Sequence, residues 1–411
     1  MNNLKTDSYK GVRDFYPEDM FIQDYIYSVW HSVLQSYGYE HYSASVLEPS
    51  EIYEGKTSAE IVSEQTYTFK DRGDRRVTLR PEMTPTITRM VAKKQKSLSF
   101  PLRWYSIPNV FRYERPQRGR LREHWQLNVD IFGLDGLEAE AELIEIASAI
   151  MRNFGLKDGD FIIKINDRKI LEEALAGLGL DENKKILVRK LLDRKDKTKD
   201  FEEQMIELVG QSFEKILQPN EKIQELTRKL KARGISNVVF EPMLIRGFDY
   251  YTGIVFEIFD TNKDNGRSLF GGGRYDNLLT LFGGEKIGTA GFGMGDVTIR
   301  EALELRNLLP NRLCPAHVAI CPTNELAFDY AASLANRLRV AGIDALVNYD
   351  GKKIGEQIKR ADKKGIPFII CVGDEEIGKN IFKVKYLKSG KEKELPVEQI
   401  ADFVSKTLSE R

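Results

Sequence analysis

Residues 111–122 read Phe111-Arg-Tyr-Glu-Arg-Pro-Gln-Arg-Gly-Arg-Leu-Arg122, with five arginines and one acid. The flanking stretches 102–113 and 123–133 are rich in apolar, β-branched and aromatic residues, which predicts two strands of a hairpin around a polar loop. Alternate residues of a strand point to one face, so Arg112 and Glu114 are expected to project together. Guanidinium groups bind phosphate oxygens in pairs, which favours a nucleotide-like ligand. The alternative is a solvated loop with surface ion pairs.

Helical and strand patterns extend outward from this hairpin. Apolar residues at three- and four-residue spacing predict helices, and short apolar runs between Gly and Pro predict strands. Helices are expected at 21–37, 83–94 and 138–154, and strands at 41–47, 66–69, 76–79, 238–241, 253–259 and 289–294, the last leading into a helix through Leu305. Residues 168–234 are rich in Leu, Lys and Glu, which predicts an all-helical insertion.

A third pattern begins near Cys314 and predicts a compact α/β domain with a parallel sheet, because strands and helices alternate there. The expected strands are 317–321, 343–349, 367–372 and 381–387, and the expected helices are 325–341, 353–364 and one starting at Val397.

The composition is that of a soluble globular protein: 411 residues, 41% hydrophobic, with 62 basic and 62 acidic side chains. Zero net charge argues at first against a nucleic-acid partner. It does not exclude one, because it averages the arginine-rich hairpin with acidic surface elsewhere. The three cysteines form no CxxC pair, and the four histidines lie too far apart for a zinc signature. The chain has no signal-peptide core and no apolar run of membrane-spanning length, so a reducing, cytoplasmic location without membrane contact is expected.

Three further segments could carry chemistry. Residues 244–253, LIRGFDYYTG, place Arg246 and two tyrosines on an otherwise apolar strand, either an edge strand with aromatic packing or a pocket floor. Residues 270–276, FGGGRYD, are predicted to form a glycine-rich loop before a helix, and it either approaches a ligand closely or is merely a turn. Residues 79–84, LRPEMT, place a carboxylate and a hydroxyl just before a helix, for which helix capping is the default explanation.

In order, these segments resemble the histidyl-tRNA synthetase family of class II aminoacyl-tRNA synthetases. The resemblance covers nearly the whole chain and includes Lys10-Gly-Val-Arg-Asp14, LRPE-x-T, FRxERPQ-x-GR, RG-x-DYYTG and GGGRYD. It implies an α+β fold: an antiparallel sheet flanked by helices, with a helical insertion and a C-terminal α/β anticodon-binding domain. The implied divisions are a catalytic core at 1–165 and 237–308, the insertion at 166–236 and the anticodon-binding domain at 314–411. The resemblance also implies a homodimer, with the segment ending at Pro49 at the interface.

The implied reaction has two steps. Histidine attacks the α-phosphate of ATP, which gives histidyl-adenylate and releases pyrophosphate, and the activated histidine then passes to the 3′ end of tRNA(His). Arg112 and Arg246 are the implied catalytic residues, because fixed cations stabilise the charge that the α-phosphate gains. Arg246 corresponds to an arginine particular to the histidine-specific members, and that arginine resembles a substitute for a catalytic metal ion. Mg²⁺ is expected to bind mainly through the ATP phosphates, with no metal site on the protein.

The resemblance implies the remaining site residues. The histidine-binding set is Glu82, Thr84, Arg112, Gln126, Asp130, Arg246, Tyr250, Tyr251 and Tyr275. Within it, Glu82, Thr84 and Gln126 suit the ammonium group, and Asp130 and Tyr251 suit the imidazole, with Tyr275 closing the pocket. The ATP-binding set is Arg112, Glu114, Arg120, His124 and Thr298. Arg115 and Gln117 are candidates for contact with the extra 5′ nucleotide of tRNA(His).

Three positions depart from the family pattern. Asp130 stands where many members have Glu, His124 where an adenine-stacking Phe is usual, and Thr298 where class II enzymes carry an arginine. Arg300, two positions on, points about 200° away on a helix and is not expected to substitute directly. We expect ATP binding to persist with a modified adenine site.

These departures leave alternative functions open. One is the histidine-sensing regulatory subunit of ATP phosphoribosyltransferase, a non-catalytic paralogue that lacks the anticodon-binding domain. Another is a degenerate synthetase-like sensor of uncharged tRNA. The predicted C-terminal domain and the RG-x-DYYTG segment favour the synthetase.

Overall fold

The computed structural model describes residues 4–54, 65–193, 198–210, 217–244, 250–311 and 314–409. The chain divides into two compact units, Met1–Pro310 and Asn311–Arg411. Within the described ranges, no helix combines the length and the apolar character that crossing a membrane requires.

Twelve described strands make up the sheets of the first unit. In chain order they are β1 (Glu40–His41), β2 (Leu47–Pro49), β3 (Tyr67–Lys70), β4 (Arg76–Leu79), β5 (Leu102–Ser106), β6 (Asn109–Phe111), β7 (Glu123–Phe132), β8 (Phe161–Asp167), β9 (Val238–Phe240), β10 (Ile254–Asp260), β11 (Ser268–Arg274) and β12 (Thr289–Gly295). The large sheet has the order β1-β5-β7-β12-β11-β10-β8-β9, with β6 also paired to β7. Its central pairs are antiparallel, as predicted. Strands β2, β4 and β3 form a separate antiparallel sheet.

Nine helices accompany these strands in the described part of the unit. They are α1 (Pro17–Ser36), α2 (Glu51–Glu54), α3 (Thr84–Lys94), α4 (Glu138–Asn153), α5 (Arg168–Gly177), α6 (Glu182–Asp193), α7 (Phe201–Val209), α8 (Glu221–Ala232) and α9 (Asp296–Glu304). Helices α5 to α8 follow one another between β8 and β9, in the stretch predicted to be helical.

Two long helices, α1 and α4, build the core against one face of the large sheet. Trp30 of α1 and Ile144 of α4 are fully buried in one cluster with Leu127, Val129 and Ile131 of β7. Side chains alternate along a strand, so the residues between these three project from the opposite face. Burying each such apolar side chain contributes about 2 kcal/mol. One face of β7 therefore holds the fold together and leaves the other for a site.

The prediction of a glycine-rich loop at 270–276 was wrong, because these residues lie mostly in strand β11 at the centre of the sheet. A Cβ on Gly272 would clash with the carbonyl oxygen of Gly291 on β12. Glycine is therefore used here to bring two strands close together, not to make a turn. The helix expected after it is a short 3₁₀ turn, Leu279–Phe282.

Several predicted strands are shorter or divided. The strand expected at 41–47 is two short strands, β1 and β2, which belong to different sheets. The first hairpin strand is two pieces, β5 and β6, separated by residues 107–108; Pro108 has no N–H to donate to a ladder. Both pieces pair with β7. Tyr250 and Tyr251 were predicted to lie on a strand, but they precede β10 without belonging to one.

The second unit is a five-stranded sheet with helices. Its strands are β13 (Val318–Pro322), β14 (Ala345–Val347), β15 (Phe368–Val372), β16 (Ile381–Tyr386) and β17 (Glu392–Pro396), and its helices are α10 (Phe328–Val340), α11 (Ile354–Lys363), α12 (Asp374–Lys379) and α13 (Val397–Ser409). Strands β14, β13 and β15 are parallel, as expected, whereas β16 and β17 extend the sheet antiparallel. The predicted parallel sheet is therefore confirmed for three strands, and the sequence pattern missed β17 and the antiparallel direction of β16.

Candidate active site

The face of β7 opposite the core carries polar side chains. Gln126, Asn128 and Asp130 alternate with the buried Leu127 and Val129, so all three point away from α1 and α4. They border a cavity of about 150 Å³. Its lining is Glu82, Thr84, Arg112, Gln126, Asn128, Asp130, Tyr250, Tyr251, Tyr275, Gly291, Phe292 and Gly293. The structure thus brings together every described residue of the predicted histidine-binding set.

Glycines on β12 provide the room for this cavity. A Cβ on Gly291 would lie 2.5 Å from both the Asp130 Oδ1 and the Tyr275 hydroxyl oxygen. A Cβ on Gly293 would clash with the side-chain amide of Gln126. Real Cβ atoms do not approach neighbours so closely. The pocket therefore depends on side chains being absent from the neighbouring strand.

The cavity lining includes a buried carboxyl, Asp130, among tyrosines. The Tyr275 hydroxyl donates a hydrogen bond to Asp130 Oδ1, while Oδ2 has no hydrogen-bond partner among the described residues. Burial raises the pKa of Asp130 to about 7, and the bond from Tyr275 opposes part of that rise. Tyr250 lies with its ring 4.8 Å from that of Tyr251 and 5.6 Å from that of Tyr275. Asp130 Oδ2 can therefore accept a hydrogen bond from a ligand.

A second carboxyl in the lining, Glu82, is also buried. The Tyr250 hydroxyl donates to Glu82 Oε2 over 3.2 Å. Thr84 begins α3, but no side chain among the described residues caps that helix, so the capping explanation for residues 79–84 does not hold. Glu82 is only 2% exposed, and a buried carboxylate of this kind favours a cationic partner.

Arg112 lies at the edge of the same cavity, just beyond β6. Its Nε donates to the carbonyl oxygen of Pro81 over 2.9 Å, which fixes the guanidinium group beside Glu82 and Thr84. The second predicted catalytic arginine, Arg246, lies outside the described residues. Arg112 is thus the arginine that the described structure contributes to the cavity lining.

Arg112 and Glu114 were predicted to project together from a strand. Strand β6 ends at Phe111, so the alternation on which that prediction rested does not extend to these residues. Glu114 instead pairs with Arg120, Oε2 to Nη1, at 3.6 Å. Both residues lie in the hairpin loop, where Arg115 and Gln117 are exposed.

His124 and Thr298 lie close to each other at the amino end of β7. An ideal Cβ on Gly295 would be 3.9 Å from His124 Cδ2 and 3.8 Å from Thr298 Oγ1. Burial lowers the pKa of His124 to about 3, helped by the charges of Arg112 and Arg13, so its ring is neutral near pH 7. The Thr298 hydroxyl donates to the carbonyl oxygen of Leu269 over 2.8 Å.

Arg300 of α9 forms ion pairs with two carboxylates. It bonds Asp19 of α1 at 2.9 Å and Glu304 at 3.0 Å. These contacts agree with the expectation that it does not replace the arginine missing at position 298.

Sequence reasoning missed two polar groups beside the predicted residues. Asn128 lines the cavity, and the alternation of Gln126 and Asp130 on one strand could have indicated it. Arg13 forms a 2.6 Å ion pair with the buried Asp296, which also accepts from the backbone N–H of Trp125. No local pattern links residues so far apart in the chain.

The described residues contain no group of three or more His, Cys, Asp or Glu side chains placed to hold a metal ion.

The antiparallel sheet flanked by helices, with a C-terminal α/β unit, has the architecture that the resemblance to class II aminoacyl-tRNA synthetases implies. Comparisons with known proteins agree. The sequence profile for histidyl-tRNA synthetase matches residues 11–217 and 200–296, and that for an anticodon binding domain matches 317–407. The histidine–tRNA ligase of Leptospira biflexa is 42% identical, covering 94% of both chains. The chain belongs to the histidyl-tRNA synthetase family.

Solved structures show the same fold. The apo histidyl-tRNA synthetase of S. aureus superposes with a TM-score of 0.76 at 26% identity, covering 97% of this chain and all of that one. A protein of Bacillus halodurans, described as an ATP phosphoribosyltransferase regulatory subunit/histidyl-tRNA synthetase, superposes with a TM-score of 0.72 at 24% identity. This superposition covers 88% of this chain and 97% of the Bacillus halodurans chain.

Proposed function

We infer that the chain is a histidine–tRNA ligase: it activates histidine with ATP to histidyl-adenylate and transfers histidine to the 3′ end of tRNA(His). The observation that carries this function is the cavity itself. Its lining includes two buried carboxyls, Glu82 hydrogen-bonded by Tyr250 and Asp130 hydrogen-bonded by Tyr275. Histidine has a cationic ammonium group and an imidazole N–H separated by a short apolar link, which suits such a cavity.

The regulatory-subunit alternative has less support. The chain carries a segment matching the anticodon binding domain, which a histidine sensor does not need. The relative from Leptospira biflexa, named a histidine–tRNA ligase, is matched over nearly its full length. The likeness to the Bacillus halodurans protein supports the shared fold alone.

Asp130, Tyr251 and Tyr275 are proposed to select the imidazole. Neutral imidazole has one N–H donor and one bare nitrogen acceptor. Asp130 Oδ2 has no partner among the described residues, so it can accept the imidazole N–H, and Tyr251 can meet the other ring nitrogen. An amino acid without ring nitrogens would leave these groups unpaired at a large cost in binding.

Glu82, Thr84 and Gln126 are proposed to hold the ammonium group, with Tyr250 orienting Glu82. The hydrogen bond from the Tyr250 hydroxyl fixes one oxygen of the Glu82 carboxylate. A buried carboxylate attracts an ammonium group strongly, since little water screens the pair.

Arg112 and Arg246 are proposed to bracket the α-phosphate while the histidine carboxylate attacks it. Negative charge builds up on the phosphate oxygens as the new bond forms, and cations fixed beforehand stabilise that charge without reorganising. The bond from Arg112 to Pro81 provides this fixation on one side. We assign no catalytic step to Mg²⁺, which we expect to accompany ATP through its phosphates.

ATP is proposed to extend from Arg112 toward the hairpin loop. In this proposal Glu114 faces the adenine, Arg120 meets the terminal phosphates, and His124 and Thr298 flank the base. A neutral His124 ring offers a flat surface for stacking on adenine, which supports the proposal. Thr298 presents no cation, so we expect the adenine to be held less by charge than in enzymes with an arginine there.

The tRNA is proposed to contact three parts of the chain. Arg115 and Gln117 on the exposed hairpin loop would meet its 5′ end, the helical insertion at 166–236 would approach the acceptor stem, and residues 314–411 would bind the anticodon. The catalytic core would then comprise 1–165 and 237–308. We further propose that the enzyme works in the cytoplasm.

We also propose a homodimer. On the small sheet, cross-strand partners place Leu47, Leu79 and Tyr67 in one row and Pro49, Val77 and Phe69 in the next, all on the same face. Leu47 and Phe69 are nearly half exposed. An apolar sheet face of this kind supports an interface with a second copy. Sedimentation equilibrium at micromolar concentration tests it, and a monomer would contradict it.

Two assays test the function. Wild-type protein should catalyse histidine-dependent ATP–pyrophosphate exchange and should charge tRNA(His) with labelled histidine, whereas a regulatory subunit would do neither. Arg246→Ala should lower exchange far more than it lowers tRNA affinity. Normal exchange in that variant would remove Arg246 from the catalytic residues.

A further inference from the structure

Asn128 lies on β7 between the two residues proposed for opposite ends of the substrate, Gln126 and Asp130. It is 4% exposed and borders the cavity. No motif of the sequence singles it out. Its contacts with Gln126 nevertheless determine how that residue faces the cavity.

The hydrogen bonds between the two amide side chains have only one consistent direction. Asn128 Nδ2 donates to the backbone carbonyl oxygen of Gln126 over 3.1 Å. That oxygen can only accept, so the NH₂ group of Asn128 must face it and Oδ1 must face the Gln126 side chain. Gln126 Nε2 donates to this Oδ1 over 3.0 Å. The Gln126 carbonyl oxygen, on the other branch of its amide, is therefore directed away from Asn128.

Strand β12 reinforces this arrangement. Gly293 is the cross-strand partner of Asn128. Its missing side chain leaves the space that the Gln126 amide occupies, since a Cβ there would clash with Nε2 and lie 3.6 Å from Asn128 Oδ1. The amide of Gln126 thus folds back over Gly293 and onto Asn128.

We propose that Asn128 is a positioning residue, which holds Gln126 with its carbonyl oxygen toward the ammonium group of histidine. An ammonium group carries donors only, so it binds a carbonyl oxygen but is opposed by an NH₂ group. Without Asn128 the amide could turn over and present its donors to the substrate. The proposal rests on the proposed function, since it takes histidine as the ligand and Gln126 as an ammonium contact.

The test uses two ligands that each lack one charged group of histidine. Histidinol keeps the ammonium and imidazole groups, and imidazole-4-propionate keeps the carboxylate and imidazole but has no ammonium. Calorimetry on the full chain gives the Kd of each. Asn128→Ala should raise the Kd of histidinol about tenfold, the size of one hydrogen bond to a charged group, and leave that of imidazole-4-propionate unchanged. The ratio of the two Kd values is insensitive to the fraction of folded protein.

Matched variants sharpen the result. Asn153→Ala removes another amide that bonds a nearby backbone carbonyl, at an exposed position of α4, and should change neither Kd. In a Gln126→Ala background, adding Asn128→Ala should cause no further weakening of histidinol binding, because the group that it positions is gone.

Three results would overturn the proposal: equal weakening of both ligands, no weakening of either, or a full further tenfold loss in the Gln126→Ala background. Failure of the proposed function looks different. In that case wild-type protein would show no histidine-dependent exchange. As long as histidinol binds, the ratio of the two Kd values in Asn128→Ala would still test the role of Asn128.

Discussion

The central strands of the large sheet in the first unit and of the sheet in the second unit differ in what covers their faces. Strands β11 and β12 carry Gly-Gly-Gly and alternating glycines, whereas β13 and β15 read Val-Ala-Ile-Cys-Pro and Phe-Ile-Ile-Cys-Val. The second sheet is buried on both faces, by one cluster that includes Val318 and Ile370 and another that includes Ala319 and Ile369. A sheet face thus becomes a ligand site where side chains are left out. We therefore expect the second unit to bind tRNA at its strand ends, edges or helices.

The face of the large sheet that carries the cavity is here called the open face. The largest expected effect tests whether the chemical step occurs on this face. Arg112→Ala should lower the kcat of histidine-dependent pyrophosphate exchange by about 10²- to 10³-fold, because a fixed cation is lost where charge develops. Arg72→Ala, an exposed arginine in the turn between β3 and β4, is the matched control and should leave exchange unchanged. A loss of less than about tenfold in Arg112→Ala would mean that the α-phosphate is stabilised elsewhere.

The next effect tests whether missing side chains create the pocket. Gly291→Ala would place a methyl group against Asp130, Tyr275 and the backbone carbonyl oxygen of Val129, so the KM for histidine should rise by about 100-fold in the protein that folds. Gly378→Ala on α12 of the second unit meets no atom within 4 Å and should have no such effect. An unchanged KM in Gly291→Ala, with a normal circular dichroism spectrum, would contradict the account of the open face.

The same comparison explains what the sequence could and could not predict. Amphipathic helices such as α1 and α4 were predicted nearly to their ends, because their apolar periodicity is local. The glycine run of β11 was mistaken for a loop, because glycine carries no alternation and its reason for being there lies on β12. Motif resemblance found most of the cavity lining, but Asn128 needed the register of β7 and β12. The coupling of Glu114 to Arg120 likewise depends on where β6 ends.

A smaller effect tests the division of labour between the units. Removing residues 311–411 should lower kcat/KM for charging tRNA(His) by about 10- to 100-fold, because the second binding site on the tRNA is lost. Pyrophosphate exchange should stay within about twofold, since the cavity lies entirely within the first unit. Equal loss of both activities would indicate that the second unit mainly supports the fold or the dimer.

The smallest effect concerns the cost of keeping Asp130 on the open face. Its pKa in the folded protein, about 7, lies above the roughly 3.9 of an unfolded chain, because burial disfavours the carboxylate. Folding therefore takes up a proton between these values, and stability falls as the pH rises through about 7. Asn cannot ionise, so Asp130→Asn should avoid this loss. Its thermal midpoint, relative to wild type, should increase by about 3 °C or more between pH 5 and pH 8.

Exposed Asp402→Asn serves as the control, and its difference from wild type should not vary with pH in this way. Histidine should narrow the gap at pH 8, because its imidazole N–H would give Asp130 Oδ2 the hydrogen bond that it lacks among the described residues. A pH-independent difference for Asp130→Asn would show that the carboxyl does not change its protonation state between pH 5 and pH 8. That result would contradict the raised pKa, whereas failure of histidine to alter the difference at pH 8 would contradict the proposed bond from the imidazole N–H to Asp130.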